Sequence, residues 1–188
     1  MKKIFKIIIK LAIIIFVIEL IYLHFIPRRY DRIIDKYSQE YKVDRSLIKA
    51  VIFKESRFKE TAVSSKGAIG LMQIMPSTAL WLMKKLDLDD YKIESADLNV
   101  RLGTYYLSYL MNLMDSDVEH ALLAYNAGPE NAKRWIQSEG YKKEDMNNFV
   151  DFDETRKYVR EIRLTRNIID FMDRYGIFLD QIAKILGD

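Results

Sequence analysis

Hydrophobic positions divide the chain into an apolar amino-terminal run and a longer amphipathic part. Residues 11–26 are apolar except for Glu19 and His24, and four lysines precede them, at positions 2, 3, 6 and 10. Counted from Ile4, the run can cross a hydrocarbon core of about 30 Å if the lysines reach the interface. The pattern therefore predicts one membrane anchor, a transmembrane helix, over residues 1–27. A secretory signal peptide is the alternative, although bulky residues stand where a cleavage site of small residues is expected.

From residue 28 onward, apolar residues recur with the period of helices that bury one face. We predict helices over residues 30–41, from Asp44 into Glu55, over 76–86, from Asp97 to Met114, from Asp117 to Gly128, over 129–137 and from Asp153 to Tyr175. Asp44, Asp97 and Asp117 are expected to cap the amino ends of their helices, and Gly128 to end the helix that begins after Asp117. Gly176 is expected to end the last of these helices, and residues 177–188 to form a short tail helix. Residues 140–150 lack a period and are predicted to be a loop. The expected fold is therefore mostly α, with one domain over residues 28–176.

Glu55 continues the apolar face of its predicted helix, which is formed by Leu47, Ile48, Val51 and Ile52. A carboxyl group on such a face loses hydration, and this raises its pKa because the charged form is disfavoured. A raised pKa suits a proton donor near neutral pH. The alternative is a structural glutamate at a helix end, paired with a neighbouring lysine or arginine.

Composition excludes several classes of function. The chain has 188 residues, a formal net charge of +3 and no cysteine. A small positive charge does not indicate a nucleic-acid partner, and a chain without cysteine has neither disulfides nor thiolate metal sites. The two histidines, His24 and His120, are too few for a zinc hydrolase. We therefore expect no metal and no cofactor.

Four short motifs follow one another along the amphipathic part. They are Glu55-Ser56, Gly70-Leu71-Met72-Gln73, Ala124-Tyr125-Asn126 followed by Ala127-Gly128-Pro129, and Glu154-Thr155-Arg156-Lys157-Tyr158-Val159. With these motifs in this order, the chain resembles the catalytic (SLT) domain of the soluble lytic transglycosylases, relatives of goose-type lysozyme that cleave peptidoglycan. The resemblance implies a lysozyme-like helical domain with a long substrate groove. It also implies that the domain lies on the extracytoplasmic side of the membrane, where peptidoglycan is found.

The resemblance further implies a role for each matching residue. Glu55 would be the catalytic acid and base, and Tyr125 would hydrogen-bond to it and orient it. The residues that would line the groove or contact the glycan are Ser56, Ser64, Met72, Gln73, Asn126, Glu154 and Tyr158. Some relatives have a second serine where this chain has Lys66, so that contact is not carried over.

The number of carboxylates distinguishes the possible reactions. Ordinary glycosidases use two carboxylates, whereas Glu60 is the only acidic residue between positions 56 and 86. A single acid suits a lytic transglycosylase, whose substrate closes a 1,6-anhydro ring with its own C6 hydroxyl instead of water. One alternative is a goose-type muramidase that hydrolyses the bond with a further carboxylate, Asp151, Asp153 or Glu154. Another is a non-catalytic scaffold that binds the wall.

Overall fold

The computed structural model describes residues 2–89 and 92–187. In chain order its helices are α1 (Lys2–Phe25), α2 (Asp31–Tyr41), α3 (Arg45–Ser56), α4 (Pro76–Lys85), α5 (Ala96–Leu113), α6 (Val118–Ala127), α7 (Pro129–Ile136), α8 (Met146–Phe149) and α9 (Asp153–Gly187), with 3-10 turns at Arg28–Tyr30 and Lys143–Asp145. Within the described residues, β-structure is limited to isolated bridges that Ile69 makes with Val63 and Ile74. The predicted mostly α fold is confirmed.

Side chains and a glycine set the ends of α3 and α6 as the sequence predicts. The Asp44 carboxylate accepts a hydrogen bond from the backbone N–H of Leu47 at 2.8 Å, and Asp117 accepts one from that of His120 at 3.0 Å. Both aspartates thus satisfy an N–H group that the first helical turn leaves without a partner. Gly128 follows α6 with a φ of +86°, which favours glycine.

The predicted cap of α5 is wrong. The Ser95 hydroxyl accepts the hydrogen bond from the backbone N–H of Leu98, at 3.4 Å, and the helix begins at Ala96. Asp97 lies within the first turn instead, where its carboxylate accepts a hydrogen bond of 2.7 Å from the Tyr37 hydroxyl. The side chain that we expected to cap α5 therefore joins α5 to α2.

Two predictions about the carboxyl-terminal half are also wrong. Gly176 does not end a helix, because α9 continues to Gly187. A glycine tolerates helical backbone angles at a cost of about 1 kcal/mol relative to alanine, so it ends a helix only where the chain also turns away. The expected tail helix is thus part of α9, and residue 188 lies outside the described residues. The predicted loop over residues 140–150 contains a 3-10 turn and α8.

The core surrounds α3, which packs most extensively against α9 and also contacts α2. Ile48, Val51 and Ile52 of α3 are fully buried, as the apolar face predicts. Each such side chain contributes about 1.5–3 kcal/mol when it leaves water. α3 therefore has a fixed position in the domain, and so has Glu55 near its carboxyl end.

A group of charged side chains, of which Lys49 is buried and the others are partly exposed, joins α2, α3 and α9, and Tyr22 connects α1 to it. The Lys49 ammonium is 2.9 Å from Asp31, and the Arg45 guanidinium is 2.7 Å from Asp31 and also pairs with Asp173. The Tyr22 hydroxyl, on the last turns of α1, donates a hydrogen bond of 3.1 Å to Asp173. Ile26, just after α1, is buried in the core. The end of α1 is thus tied to α9.

Many apolar side chains described on the rest of α1 are exposed. Its described and exposed side chains include Ile4, Phe5, Ile7, Ile9, Ile13, Ile14, Ile15, Phe16, Val17 and Ile18. Judged by length and apolar character, none of the helices within residues 2–89 and 92–187 qualifies as a membrane span.

Candidate active site

Glu55 lies on the last turn of α3 and is largely enclosed by the domain. Its Oε1 atom accepts a hydrogen bond of 2.6 Å from the Tyr158 hydroxyl, which α9 brings against it. Burial raises the pKa of Glu55 from 4.5 to about 7, while the Tyr158 hydrogen bond and the Lys54 charge oppose the rise and Glu154 adds to it. The raised pKa that the apolar face predicts is confirmed.

A pKa near 7 gives Glu55 two chemical abilities. At neutral pH, comparable fractions of the carboxyl group are protonated and ionised, so the same group can donate a proton and then accept one. The proton from Tyr158 remains available for the hydrogen bond, because burial and the neighbouring Glu55 raise the pKa of that phenol well above 10. Tyr158 therefore acts on the carboxylate as a permanent donor.

The predicted hydrogen bond from Tyr125 to Glu55 is wrong. The Tyr125 hydroxyl donates to the backbone carbonyl oxygen of Met72 at 2.9 Å. Tyr125 is nevertheless a neighbour of the acid, because burial and then the charge of Glu55 raise the pKa of its phenol. The two phenols therefore have different roles. Tyr125, on α6, holds the loop after α3 (residues 57–75), whereas Tyr158, on α9, holds the carboxyl group of Glu55.

Ser56 and Met72 do not present their side chains to a groove, contrary to our expectation. Ser56 is only 6% exposed, and its hydroxyl donates to the carbonyl oxygen of Leu71 at 2.8 Å. The Met72 side chain is fully buried, and its backbone N–H donates to the side-chain oxygen of Asn99 at 2.8 Å. Both residues join the loop to the helices around it, so their contribution to the site is structural.

Gln73 and Ser64 also shape the loop. The Gln73 side-chain amide donates to the carbonyl oxygens of Ala62 and Gly70 at 3.0 and 2.9 Å, and the residue has a φ of +48°. The Ser64 hydroxyl accepts a hydrogen bond of 3.0 Å from the backbone N–H of Ala68. Neither side chain is fully buried, so contact with a ligand stays a prediction for both.

Asn99 supports the loop after α3, and the sequence analysis missed it. Its side-chain nitrogen donates to the carbonyl oxygens of Ile69 and Ile93 at 2.9 and 3.0 Å. A Cβ atom at Gly70 would lie 2.3 Å from that nitrogen, so the close approach and the φ of +81° both require glycine there. The available signal was an amide on the inward face of a helix that is otherwise apolar at Leu98 and Leu102.

Asn126 and Glu154 lie where α6 ends and α9 begins. The Asn126 side-chain oxygen accepts a hydrogen bond of 2.7 Å from the Thr155 hydroxyl, which joins these two helices. Glu154 is exposed on the first turn of α9, and its charge contributes to the raised pKa of Glu55. Of the carboxylates that we considered as partners of Glu55, Glu154 is the one that acts on it electrostatically.

The other candidate carboxylates have partners of their own. Glu60 accepts hydrogen bonds from the backbone N–H of Ala96 and from the Tyr30 hydroxyl. Asp151 accepts hydrogen bonds from Arg134 and Trp135, and Asp153 pairs with Arg156. Over the part of the chain that the structure describes, no three histidine, aspartate or glutamate side chains are grouped as a metal site.

The chain is similar in sequence to known lytic transglycosylases. The chain is 30% identical over 169 residues to the soluble lytic murein transglycosylase of Salmonella typhimurium, covering 86% of the chain and 25% of that protein. It is 32% identical over 124 residues to the membrane-bound lytic murein transglycosylase E of Buchnera aphidicola, covering 60% and 57%. The chain thus spans about a quarter of the length of the first of these relatives.

The fold also matches a solved structure. An inactive mutant of the lytic transglycosylase Slt from Pseudomonas aeruginosa superposes with a TM-score of 0.71 and 30% identity, over 82% of this chain and 25% of that one. This likeness extends the mostly helical, lysozyme-like fold to the present chain. The family model described as "Transglycosylase SLT domain" matches residues 32–148, and on this match the chain belongs to the SLT transglycosylase domain family.

Proposed function

We propose that this protein is a peptidoglycan lytic transglycosylase that cleaves the β-1,4 bond from N-acetylmuramic acid to N-acetylglucosamine. The observation that carries the proposal is Glu55: it is enclosed, has a pKa of about 7 and is held by Tyr158 at 2.6 Å. Family membership adds support, because the relatives are named lytic murein transglycosylases. The reaction needs one group that gives and then takes a proton, and Glu55 has the properties of such a group.

The proposed reaction has two proton transfers and consumes no water. Glu55 donates its proton to the glycosidic oxygen, and the bond from that oxygen to C1 of the muramic acid breaks with its electron pair on the oxygen. The ionised Glu55 then removes the proton of the C6 hydroxyl of the same sugar. The C6 oxygen bonds to C1 and closes the 1,6-anhydro ring, and Glu55 is again protonated.

Tyr158 is proposed to position the acid rather than to touch the sugar. Its hydrogen bond to Oε1 fixes the carboxyl group and supports the ionised form that exists between the two proton transfers. Tyr125 is proposed to hold the loop through Met72. Sugar contacts are assigned to side chains that keep some exposed surface around this site: Ser64, Gln73, Asn126 and Glu154.

The test is a digestion of purified peptidoglycan with the full chain, followed by mass spectrometry of the released fragments. We expect fragments with 1,6-anhydro ends, lighter by one water molecule than hydrolytic fragments. Glu55→Gln keeps the shape of the side chain but can neither donate the proton nor accept it, so no fragments are expected. Glu139→Gln is the matched control, because Glu139 is exposed on the segment that follows α7, and it should act like the unchanged chain.

Other outcomes identify the alternatives. Fragments with reducing ends would mean a goose-type muramidase, and Glu154→Gln would then be expected to abolish their release, because Glu154 is the carboxylate that acts on Glu55. If the unchanged chain binds peptidoglycan but releases no fragment, the protein is a wall-binding scaffold.

We further propose that α1 attaches the protein to the cytoplasmic membrane, with the SLT domain on the extracytoplasmic side. Exposed apolar side chains along α1 support this, because a contiguous apolar surface of this kind marks a membrane or protein contact. The lysines at positions 2, 3, 6 and 10 add attraction to anionic lipid headgroups. The substrate has the same location, since peptidoglycan lies outside this membrane.

A further inference from the structure

The two tryptophans of the chain have opposite environments. Trp135 is only 2% exposed and belongs to the core, whereas Trp81, on α4, is 37% exposed. From the sequence alone, Trp81 is expected in the core or in the wall of a groove. An exposed tryptophan leaves a large apolar surface in contact with water, so its surroundings are informative.

Trp81 is the outer member of a row of aromatic rings that begins beside Glu55. The Tyr125 ring packs on Tyr106 with centroids 5.4 Å apart, and Tyr106 packs on Trp81 at 6.2 Å. Trp81 also contacts Tyr109, at 5.1 Å. Because Tyr125 neighbours the acid, the row leads outward from the site to an exposed ring.

The end of this row is a pocket of about 300 Å³, lined by Ser77, Thr78, Trp81, Tyr106, Tyr109 and Pro129. This volume is at the lower end of the range for small-molecule sites, about 300–1,000 Å³. The lining combines aromatic rings with the hydroxyls of Ser77 and Thr78. A pyranose ring has the matching chemistry, since its C–H face is apolar and its edge carries hydroxyl groups.

We propose that this Trp81 pocket is a sugar-binding subsite, which holds one ring of the glycan strand at a distance from the bond cleaved beside Glu55. The proposal rests on the function proposed above and specifies the substrate: a strand that extends beyond the cleaved bond as far as Trp81. Lys85 lies over the Trp81 and Tyr109 rings at 5.2 and 5.9 Å. Its exposed, flexible side chain can move aside without any repacking of α4.

The first experiment measures binding without cleavage. Oligomers of β-1,4-linked N-acetylglucosamine, short and long, are titrated by calorimetry into the full chain carrying Glu55→Gln. Long oligomers should bind about tenfold more tightly than short ones, as expected for one added aromatic contact. Adding Trp81→Ala should remove this gain and leave the binding of short oligomers unchanged. Trp81→Phe should retain part of the gain, because it keeps an aromatic ring.

Leu80→Ala is the matched control, since Leu80 is an apolar residue next to Trp81 that is more exposed than Trp81, 58% against 37%, and does not line the pocket. It should bind both oligomers like its parent. Acrylamide quenching gives a second readout, because Trp81 is the exposed fluorophore: long oligomers should protect its emission and short ones should not. A long oligomer that binds the Trp81→Ala chain as tightly as its parent would overturn the proposal. So would an equal loss for both lengths, which indicates a role in packing.

Digestion of peptidoglycan separates this proposal from the proposed function. If the unchanged chain releases no anhydro fragments, the proposed function has failed, whatever the oligomers do. If anhydro fragments are released but oligomer length has no effect on binding, the Trp81 subsite alone has failed. A gain that requires peptide-bearing fragments would also overturn it and would identify a peptide site instead.

Discussion

Replacing Tyr158 with phenylalanine removes one hydroxyl from the candidate site and keeps the ring that packs in the core. The lost hydrogen bond, 2.6 Å long, stabilises the ionised form of Glu55, so the pKa of Glu55 must rise above its present value of about 7. Hydrogen bonds to charged groups are worth about 1.5–3 kcal/mol. At about 1.4 kcal/mol per pH unit, the expected rise is about 1–2 units.

The assay is the release of soluble peptidoglycan fragments as a function of pH. Because Glu55 must be protonated to begin the reaction, activity of the unchanged chain should fall as the pH rises through about 7. In the Tyr158→Phe variant this alkaline limb should move upward by about 1–2 pH units. Activity below the limb should fall as well, since the carboxyl group is no longer held in one orientation.

Tyr125→Phe is the matched control, because its hydroxyl is bonded to the carbonyl oxygen of Met72 instead of to the acid. That variant should lose stability or activity through the loop, with its alkaline limb still near pH 7. The reasoning is refuted if the limb moves in the Tyr125 variant and stays in place in the Tyr158 variant.

Two further predictions concern stability and attachment. The pKa of Glu55 is raised on folding, so the folded state keeps a proton that the unfolded chain releases, and stability falls as the pH rises from 4.5 to about 7. The free energy of unfolding of Glu55→Gln, measured by thermal unfolding, should therefore equal that of the unchanged chain at pH 4 and exceed it at pH 8 by at most about 3 kcal/mol. Equal free energies at both pH values would contradict the burial of the acid. For α1, protease added to intact protoplasts should digest the SLT domain, whereas complete protection of the domain would contradict the proposed topology.

Local patterns predicted much of the fold. The Asp44 and Asp117 caps and the buried face of α3 depend on residues only a few positions apart, and each was confirmed. The partly buried position of Glu55 could be predicted in the same way, because the apolar face that it continues lies on its own helix. Such features are readable because the helical period alone brings the residues together.

Contacts between helices that are distant in the sequence could not be predicted in this way. Whether Tyr125 or Tyr158 donates to Glu55 depends on the positions of α6 and α9 relative to α3, which no spacing within the sequence specifies. The same holds for Met72, whose motif suggested contact with sugar although the side chain fills the space over Gly103. The prediction that Gly176 ends a helix was wrong for a different reason, because a glycine permits the end of a helix but does not require one.

The continuity of α9 has a mechanical consequence. Tyr158, which holds the acid, and Asp173, which receives the Tyr22 hydroxyl of α1, lie on this one helix. At a rise of about 1.5 Å per residue, they are about 22 Å apart along a rigid rod. With α1 attached to a membrane, the rod allows little independent motion between the reaction centre and the base of the enzyme. Under the proposed attachment, the distance from the membrane to Glu55 is set by packed helices and not by a flexible linker.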